Sequence, residues 1–243
     1  DPKPGDLARI SRADLFIYLG AGMEPWVPRF LKAAQSGLKA VEASRDLPLF
    51  ENKENHGRHS QGEKHDADPH VWLDFSLSMR IVDAIGAAMA EKAPDLAPRF
   101  RAGADDYKSR LEILDRQFRE GLSSCRRRQI VLGGHSAFSY LARRYGLEQV
   151  ALYGINPNAE PTPRKLAEVI RAAKARNVRC IFFEELVNPK LADVLAAEAG
   201  VETLVLNDGA NITREKRDQK ISFIRLMEQN LSQLRRGLDC EPR

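Results

Sequence analysis

Gln129-Ile130-Val131-Leu132-Gly133-Gly134-His135-Ser136-Ala137-Phe138 reads as an apolar strand stopped by a glycine pair and followed at once by helical spacing. The same change of texture recurs to the end of the chain. Strands at 149–154, 180–184 and 203–206 alternate with helices at 137–145, 163–176, 189–199 and 221–238. Successive strands separated by whole helices cannot join through tight hairpins. They need crossover connections, so this half of the chain predicts a parallel sheet flanked by helices.

Upstream lies the strongest periodic signal, Phe100, Ala104, Tyr107, Leu111, Leu114, Phe118 and Leu122, which marks one helical face. It predicts a helix over 96–123, roughly 40 Å long at 1.5 Å per residue. Before it, Asp6 opens a short helix to Ser11, 13–20 is a buried strand ending at Gly20, 24–37 is helical and 39–44 is a second strand. Asp68 caps a helical start with Pro69 in its first turn, and an amphipathic helix runs from Ser76 to Glu91. The fold class is therefore α/β: two lobes with parallel sheets flanked by helices, joined by one long rigid helix. The boundaries are 1–92 for the first lobe, which reads short, 93–128 for the connecting helix and 129–243 for the second lobe. The polar, aperiodic segment 51–69 reads as a surface loop of the first lobe.

The whole chain of 243 residues has 43% hydrophobic and 30% charged residues, which excludes collagen-like, low-complexity and disordered classes. No apolar run reaches the roughly 18 residues of a membrane span. A net charge of +4 is too small to indicate nucleic acid. The basic runs 126–128, 143–144 and 235–236 fall at helix ends without interleaved aromatics and read as solvated faces.

The chemistry concentrates where an open parallel sheet collects ligands, beyond the carboxyl ends of its strands. His135 follows one strand and Asp208 follows another. His70 stands in the predicted first turn of a helix, where the positive end of the helix dipole disfavours imidazolium. Neutral imidazole binds metal, and two imidazoles with a carboxylate suit Zn²⁺, or Mn²⁺. Taken singly, His135 also reads as a structural histidine, and Asp208 as a turn residue in Asn207-Asp208-Gly209. Glu184 and Glu185 end a strand, but no nucleophile or base motif accompanies them, which argues against catalysis there. Trp26 and Trp72 read as packing residues.

Asp68-Pro69-His70-Val71-Trp72-Leu73, Gly134-His135-Ser136-Ala137-Phe138-Ser139-Tyr140-Leu141 and Ala159-Glu160-Pro161-Thr162-Pro163 resemble segments of the solute-binding proteins of bacterial zinc and manganese ABC importers. Pro2-Lys3-Pro4-Gly5-Asp6-Leu7, 13–17 and Gly22-Met23-Glu24-Pro25-Trp26 match the same family, so the resemblance covers nearly the whole chain in order. It implies a two-lobed fold with one metal ion in the cleft between lobes, His70 and His135 as the second and third ligands, and Asp208 as the carboxylate ligand. It also implies that the family's first ligand, a histidine just upstream of the Pro2-Lys3-Pro4 motif, and the export signal both precede residue 1. The implied protein is no enzyme. It is a monomeric, extracytoplasmic or periplasmic receptor whose partners are a divalent metal ion and the membrane permease of an ABC importer, with no nucleic acid.

Within the family a His at the position of His135 and a histidine-bearing loop go with zinc, and a Glu there goes with manganese, so the resemblance favours zinc. His56, His59 and His65 read either as an inert loop or as a weak secondary metal trap. Glu160 matches a family position near the cleft and reads as an orienting partner of a ligand or as a helix cap. No Cys-x-x-Cys spacing exists, which argues against metal binding through the cysteines, and the exported location that the resemblance implies makes a disulfide the expectation. The resemblance implies a Cys180–Cys240 bond, with Cys125–Cys240 as the rival. The alternatives of function are a manganese receptor of the same family, a zinc-dependent hydrolase, which lacks a His-Glu-x-x-His helix here, and a surface adhesin.

Overall fold

In the computed structural model, residues 2–33, 37–51, 67–152, 154, 162–175, 178–185 and 189–241 are described. The chain forms two compact units, Asp1–Leu111 and Glu112–Arg243.

The first unit runs α1 (Pro4–Ile10), β1 (Leu15–Tyr18), α2 (Val27–Ala33), β2 (Lys39–Glu42), a 3₁₀ turn at Val71–Leu73 and α3 (Phe75–Lys92). β1 and β2 pair in parallel, with Leu15 opposite Lys39 and Tyr18 opposite Glu42. Phe16 of β1 packs on Trp26 and Phe30, ring centroids 6.0 and 6.1 Å away, which seats α2 on the strand. Trp26 is thus a packing residue. The chain leaves β1 through Gly20, Ala21 and Gly22, all at positive φ, and the Glu24 carboxylate accepts the N–H groups of Leu19 and Gly20 at 3.0 Å each. α3 starts at Asp74, whose side chain accepts the Ser76 N–H at 2.9 Å. It buries Phe75, Leu77, Ala88 and Ala90.

α4 (Ala97–Ser123) has 27 residues and begins in the first unit and ends in the second. The predicted stripe is the face it turns inward: Leu111, Leu114, Phe118 and Leu122 are at most 1% exposed. Each buried side chain of this size contributes about 1.5–3 kcal/mol of apolar transfer.

The second unit continues with β3 (Gln129–Leu132), α5 (Ser139–Arg144), β4 (Glu148–Ala151), α6 (Pro163–Ala175), β5 (Cys180–Glu184), α7 (Pro189–Ala199), β6 (Glu202–Leu206), α8 (Arg214–Asp218) and α9 (Phe223–Gly237). Among the described residues its four strands are all parallel, in the order β4-β3-β5-β6. Four of the five residues of central β5 are buried, as expected of a parallel strand covered on both faces. Val131, Ile181 and Phe183 meet Val169, Ala173 and Leu195, so α6 and α7 cover one face. α8 is too short to register as a period in the sequence. Thr213 caps it by accepting the Lys216 N–H.

Two expectations are corrected. The disulfide joins Cys125 to Cys240, not Cys180 to Cys240. Cys180 opens β5, 2% exposed, and packs so tightly beneath Gly237 that a Cβ there would lie 2.5 Å from its Sγ. The chain beyond α9 instead runs antiparallel to the segment after α4. The Arg126 and Arg127 N–H groups donate to the carbonyls of Asp239 and Leu238 at 3.2 and 3.0 Å, and this brings Cys125 opposite Cys240. The basic runs are also not simply solvated. Arg128 donates to the carbonyls of Leu122 at 2.6 Å and Gly146 at 3.0 Å, as well as to Tyr145, and so closes the ends of α4 and α5. Arg144 holds the Asp115 carboxylate from α4 at 2.6 and 2.8 Å.

Candidate metal centre

β3 has β4 on one side and β5 on the other. The chain leaves β3 toward β4 on one side and leaves neighbouring β5 toward β6 on the other, and at such a switch point the loops beyond the carboxyl ends part to leave a crevice. His135 lies just past the end of β3, Glu184 is the last residue of β5, and Asp208 lies just past β6. Ligating atoms of these three side chains lie within 4.8 Å of one another. His135 and Asp208 are 2% and 4% exposed, and the Glu184 side chain is 15% exposed.

Close packing sets this position. A Cβ on Gly133 would fall 2.0 Å from the Phe183 ring, so only glycine lets the chain stay against β5 as it leaves β3. The Gly133 N–H continues the ladder by donating to the Phe182 carbonyl at 2.8 Å. Two residues on, the His135 N–H donates to Glu184 Oε1 at 3.1 Å, and His135 Nδ1 lies 2.6 Å from the same oxygen. An imidazole bound to a carboxylate through Nδ1 carries its proton there and presents Nε2 as the donor atom for a metal.

Asp208 occupies a turn. Its Oδ1 accepts the N–H groups of Ala210 and Asn211 at 3.0 and 3.1 Å, which fixes the carboxylate. Asn207 anchors the turn to α9: its N–H donates to Asn230 Oδ1 at 2.8 Å, and Asn230 Nδ2 donates back to its carbonyl at 2.7 Å. Asn207 Nδ2 also donates to Glu185 at 2.9 Å, and Lys216 of α8 pairs with Glu185 at 2.8 Å. Gly209 has φ +80°, and a Cβ there would meet the Phe223 ring at 2.9 Å. The turn reading and the ligand reading of Asp208 are thus compatible, because the turn is what aims the carboxylate.

His70 belongs to the first unit and is 3% exposed. It does not stand in the first turn of an α-helix. It precedes the 3₁₀ turn at Val71–Leu73, and Asp74 caps the helix that follows. Asp68 is no cap either. Its Oδ1 accepts the His70 N–H at 3.0 Å and lies 2.7 Å from His70 Nδ1. His70 is therefore oriented by a carboxylate partner and not by the end of a helix. Trp72 lays its ring beside the imidazole, centroids 5.3 Å apart.

The structure brings His135 and Asp208 together with Glu184, and places His70 with Asp68 in the other unit. His56, His59, His65 and Glu160 lie outside the described residues. Sequence reasoning missed Glu184 and Asp68 as partners of the candidate ligands. The signals were present: a carboxylate ending the central buried strand, and a carboxylate two residues before a histidine. The imidazole of His135, held by Glu184, and the Asp208 carboxylate converge at the buried carboxyl edge of the sheet and suit a divalent transition metal, with imidazole favouring zinc over manganese.

Comparison with known proteins agrees with this chemistry. Residues 1–237 match the family described as zinc-uptake complex component A, periplasmic. The chain is 37% identical over 246 residues to the zinc-binding lipoprotein AdcA of Streptococcus pneumoniae serotype 4, covering 99% of this chain and 49% of that protein. It is 37% identical over 243 residues to the high-affinity zinc uptake system protein ZnuA of Bacillus subtilis, covering 98% and 76%. It thus spans about half the length of the streptococcal relative. Among solved structures, the Zn(II)-bound ZnuA-like domain of Streptococcus pneumoniae AdcA is similar with a TM-score of 0.82 at 35% identity, covering 98% of this chain and 85% of that one.

Proposed function

This chain belongs to the zinc-uptake complex component A family, and from that premise we propose that it captures one zinc ion outside the cytoplasm and delivers it to the membrane permease of an ABC importer. His135 and Asp208 are ligands, and His70 supplies a second imidazole. The observation that carries the reading is the convergence of His135, Glu184 and Asp208 within 4.8 Å at the switch point of the sheet. The receptor works as a monomer, by capture and release, with no nucleic-acid partner and no bond of a substrate made or broken.

Supporting the zinc assignment are the imidazole donors and the names of the relatives, which describe zinc binding and zinc uptake. Supporting an oxidising, extracytoplasmic setting are the Cys125–Cys240 disulfide and the family's periplasmic description. Competition of the full chain against a zinc chelator tests the reading. His135→Ala and Asp208→Ala should each weaken zinc binding at least tenfold, and His70→Ala likewise. Zinc affinity unchanged by both His135→Ala and Asp208→Ala overturns it, and a clear preference for Mn²⁺ in the same assay overturns the choice of metal.

A further inference from the structure

The two candidate ligand histidines are held by the same device, built in two unrelated ways. In each case a single carboxylate oxygen takes both the backbone N–H of the histidine and its ring Nδ1. For His70 the distances to Asp68 Oδ1 are 3.0 and 2.7 Å, and for His135 the distances to Glu184 Oε1 are 3.1 and 2.6 Å. The first pair is local, two residues apart. The second joins residues 49 apart through the adjacency of β3 and β5.

A double clamp of this kind constrains more than a single hydrogen bond does. Fixing the carboxylate against the backbone N–H sets its position relative to the Cα of the histidine, and the Nδ1 contact then sets the ring rotation. All four side chains are shielded, with Asp68 and His70 at 3% exposure, His135 at 2% and the Glu184 side chain at 15%. The clamping residues are themselves anchored. Glu184 ends β5 opposite Leu206, and the Asp68 N–H donates to the Phe50 carbonyl at 2.9 Å. Asp68 Oδ1 and Glu184 Oε1, each accepting from both the N–H and the ring of one residue, are thereby committed to their histidines.

We propose that Asp68 and Glu184 are matched positioning residues, each holding its histidine as the Nδ1–H tautomer so that Nε2 is the metal-donor atom before any metal arrives. The inference rests on the zinc-receptor reading above and deepens it. The histidines enter the metal site already ordered, and the two carboxylates, without touching the ion, set how tightly it is held.

The experiment combines two readouts on the full chain. Nitrogen-15 NMR of histidine-labelled, metal-free protein, at a pH where imidazole is neutral, reports the tautomer of each ring without any need for metal. Wild type should show His70 and His135 as Nδ1–H. Glu184→Leu should move His135 alone toward the Nε2–H form that histidine prefers in water, and Asp68→Leu should move His70 alone. Each should weaken zinc binding by about 10–100-fold in chelator competition. Glu184→Gln and Asp68→Asn keep a carbonyl acceptor and should retain the tautomer and most of the affinity, which covers the case in which a Leu variant fails to fold. Nε2–H rings in the wild type, or tautomers indifferent to Leu variants that fold, overturn the proposal. So does a loss in Glu184→Gln as large as that in His135→Ala, which makes Glu184 a ligand. Failure of the zinc reading looks different: His135→Ala and Asp208→Ala would then bind zinc like wild type while the tautomers still follow Asp68 and Glu184.

Discussion

Gly133 and Phe183 are in such close contact that the chain leading from β3 to His135 runs on beside β5 only because position 133 has no side chain. Gly133→Ala must push the Phe183 ring, and with it the strand that ends in Glu184. Overpacking of this kind costs about 1–3 kcal/mol. Denaturant unfolding should show that loss, and chelator competition should show weaker zinc binding in the same variant. A variant as stable as wild type with full affinity would mean that β5 yields at no cost.

Acid should weaken the fold through Asp115. Burial alone would raise its pKa, but hydrogen bonds from Arg144, Tyr145 and Arg119 outweigh that and hold the carboxyl down at about 2. A carboxyl lowered on folding stabilises the native state above its unfolded pKa of about 4 and loses that contribution as pH falls toward about 2. The expected loss is about 2 kcal/mol over that interval, measured as unfolding free energy against pH. Asp115→Asn should flatten this part of the profile.

The Cys125–Cys240 bond closes a loop with a sequence separation of 115 residues. In the chain-entropy treatment such a closure contributes roughly 5 kcal/mol. Cys125→Ser and Cys240→Ser should lower the thermal midpoint about equally, and the double variant should be no worse than either single one. Peptide mapping without reductant should recover the 125–240 linkage.

Cys180 should behave as an inert thiol. Burial, with a smaller push from Glu202, raises its pKa to about 12, so almost no thiolate exists near neutral pH. Iodoacetamide should leave it unmodified in the native protein and label it once denaturant unfolds the second unit. Labelling at the rate of a free thiol in native buffer would contradict the packing of Gly237 over Sγ.

Phe118 is fully buried in α4, with its ring centroid 5.3 Å from that of Tyr145. Phe118→Ala should destabilise by about 3–5 kcal/mol in denaturant titration.

Periodicity made most of the fold legible. The stripe from Phe100 to Leu122 marked α4, and the β5 and α7 boundaries coincide with the strand read at 180–184 and the helix read at 189–199. What periodicity could not convey was pairing between distant segments. The choice of Cys125 over Cys180 as the partner of Cys240 depends on which way the chain turns after α9, and that is decided by backbone bonds to Arg126 and Arg127. The site divided in the same manner. His135 and Asp208 were readable as residues following strands, because the carboxyl ends of a parallel sheet collect ligands whatever the sequence. Glu184 became meaningful only once β5 lay beside β3, a relation between residues 49 apart. Asp68 was legible as a residue and misread in role, since an acidic residue before a proline and a helical run satisfies the capping pattern equally well.

The bond between Cys125 and Cys240 makes everything from β3 to α9 a covalent circle, and His135, Glu184 and Asp208 all lie on its circumference. A single proteolytic nick in any loop of that circle opens a ring and does not divide a chain, so both sides of the cut stay tethered within reach of each other. The edge of the second unit that carries these three residues can therefore survive a break in its own backbone for as long as the disulfide remains oxidised.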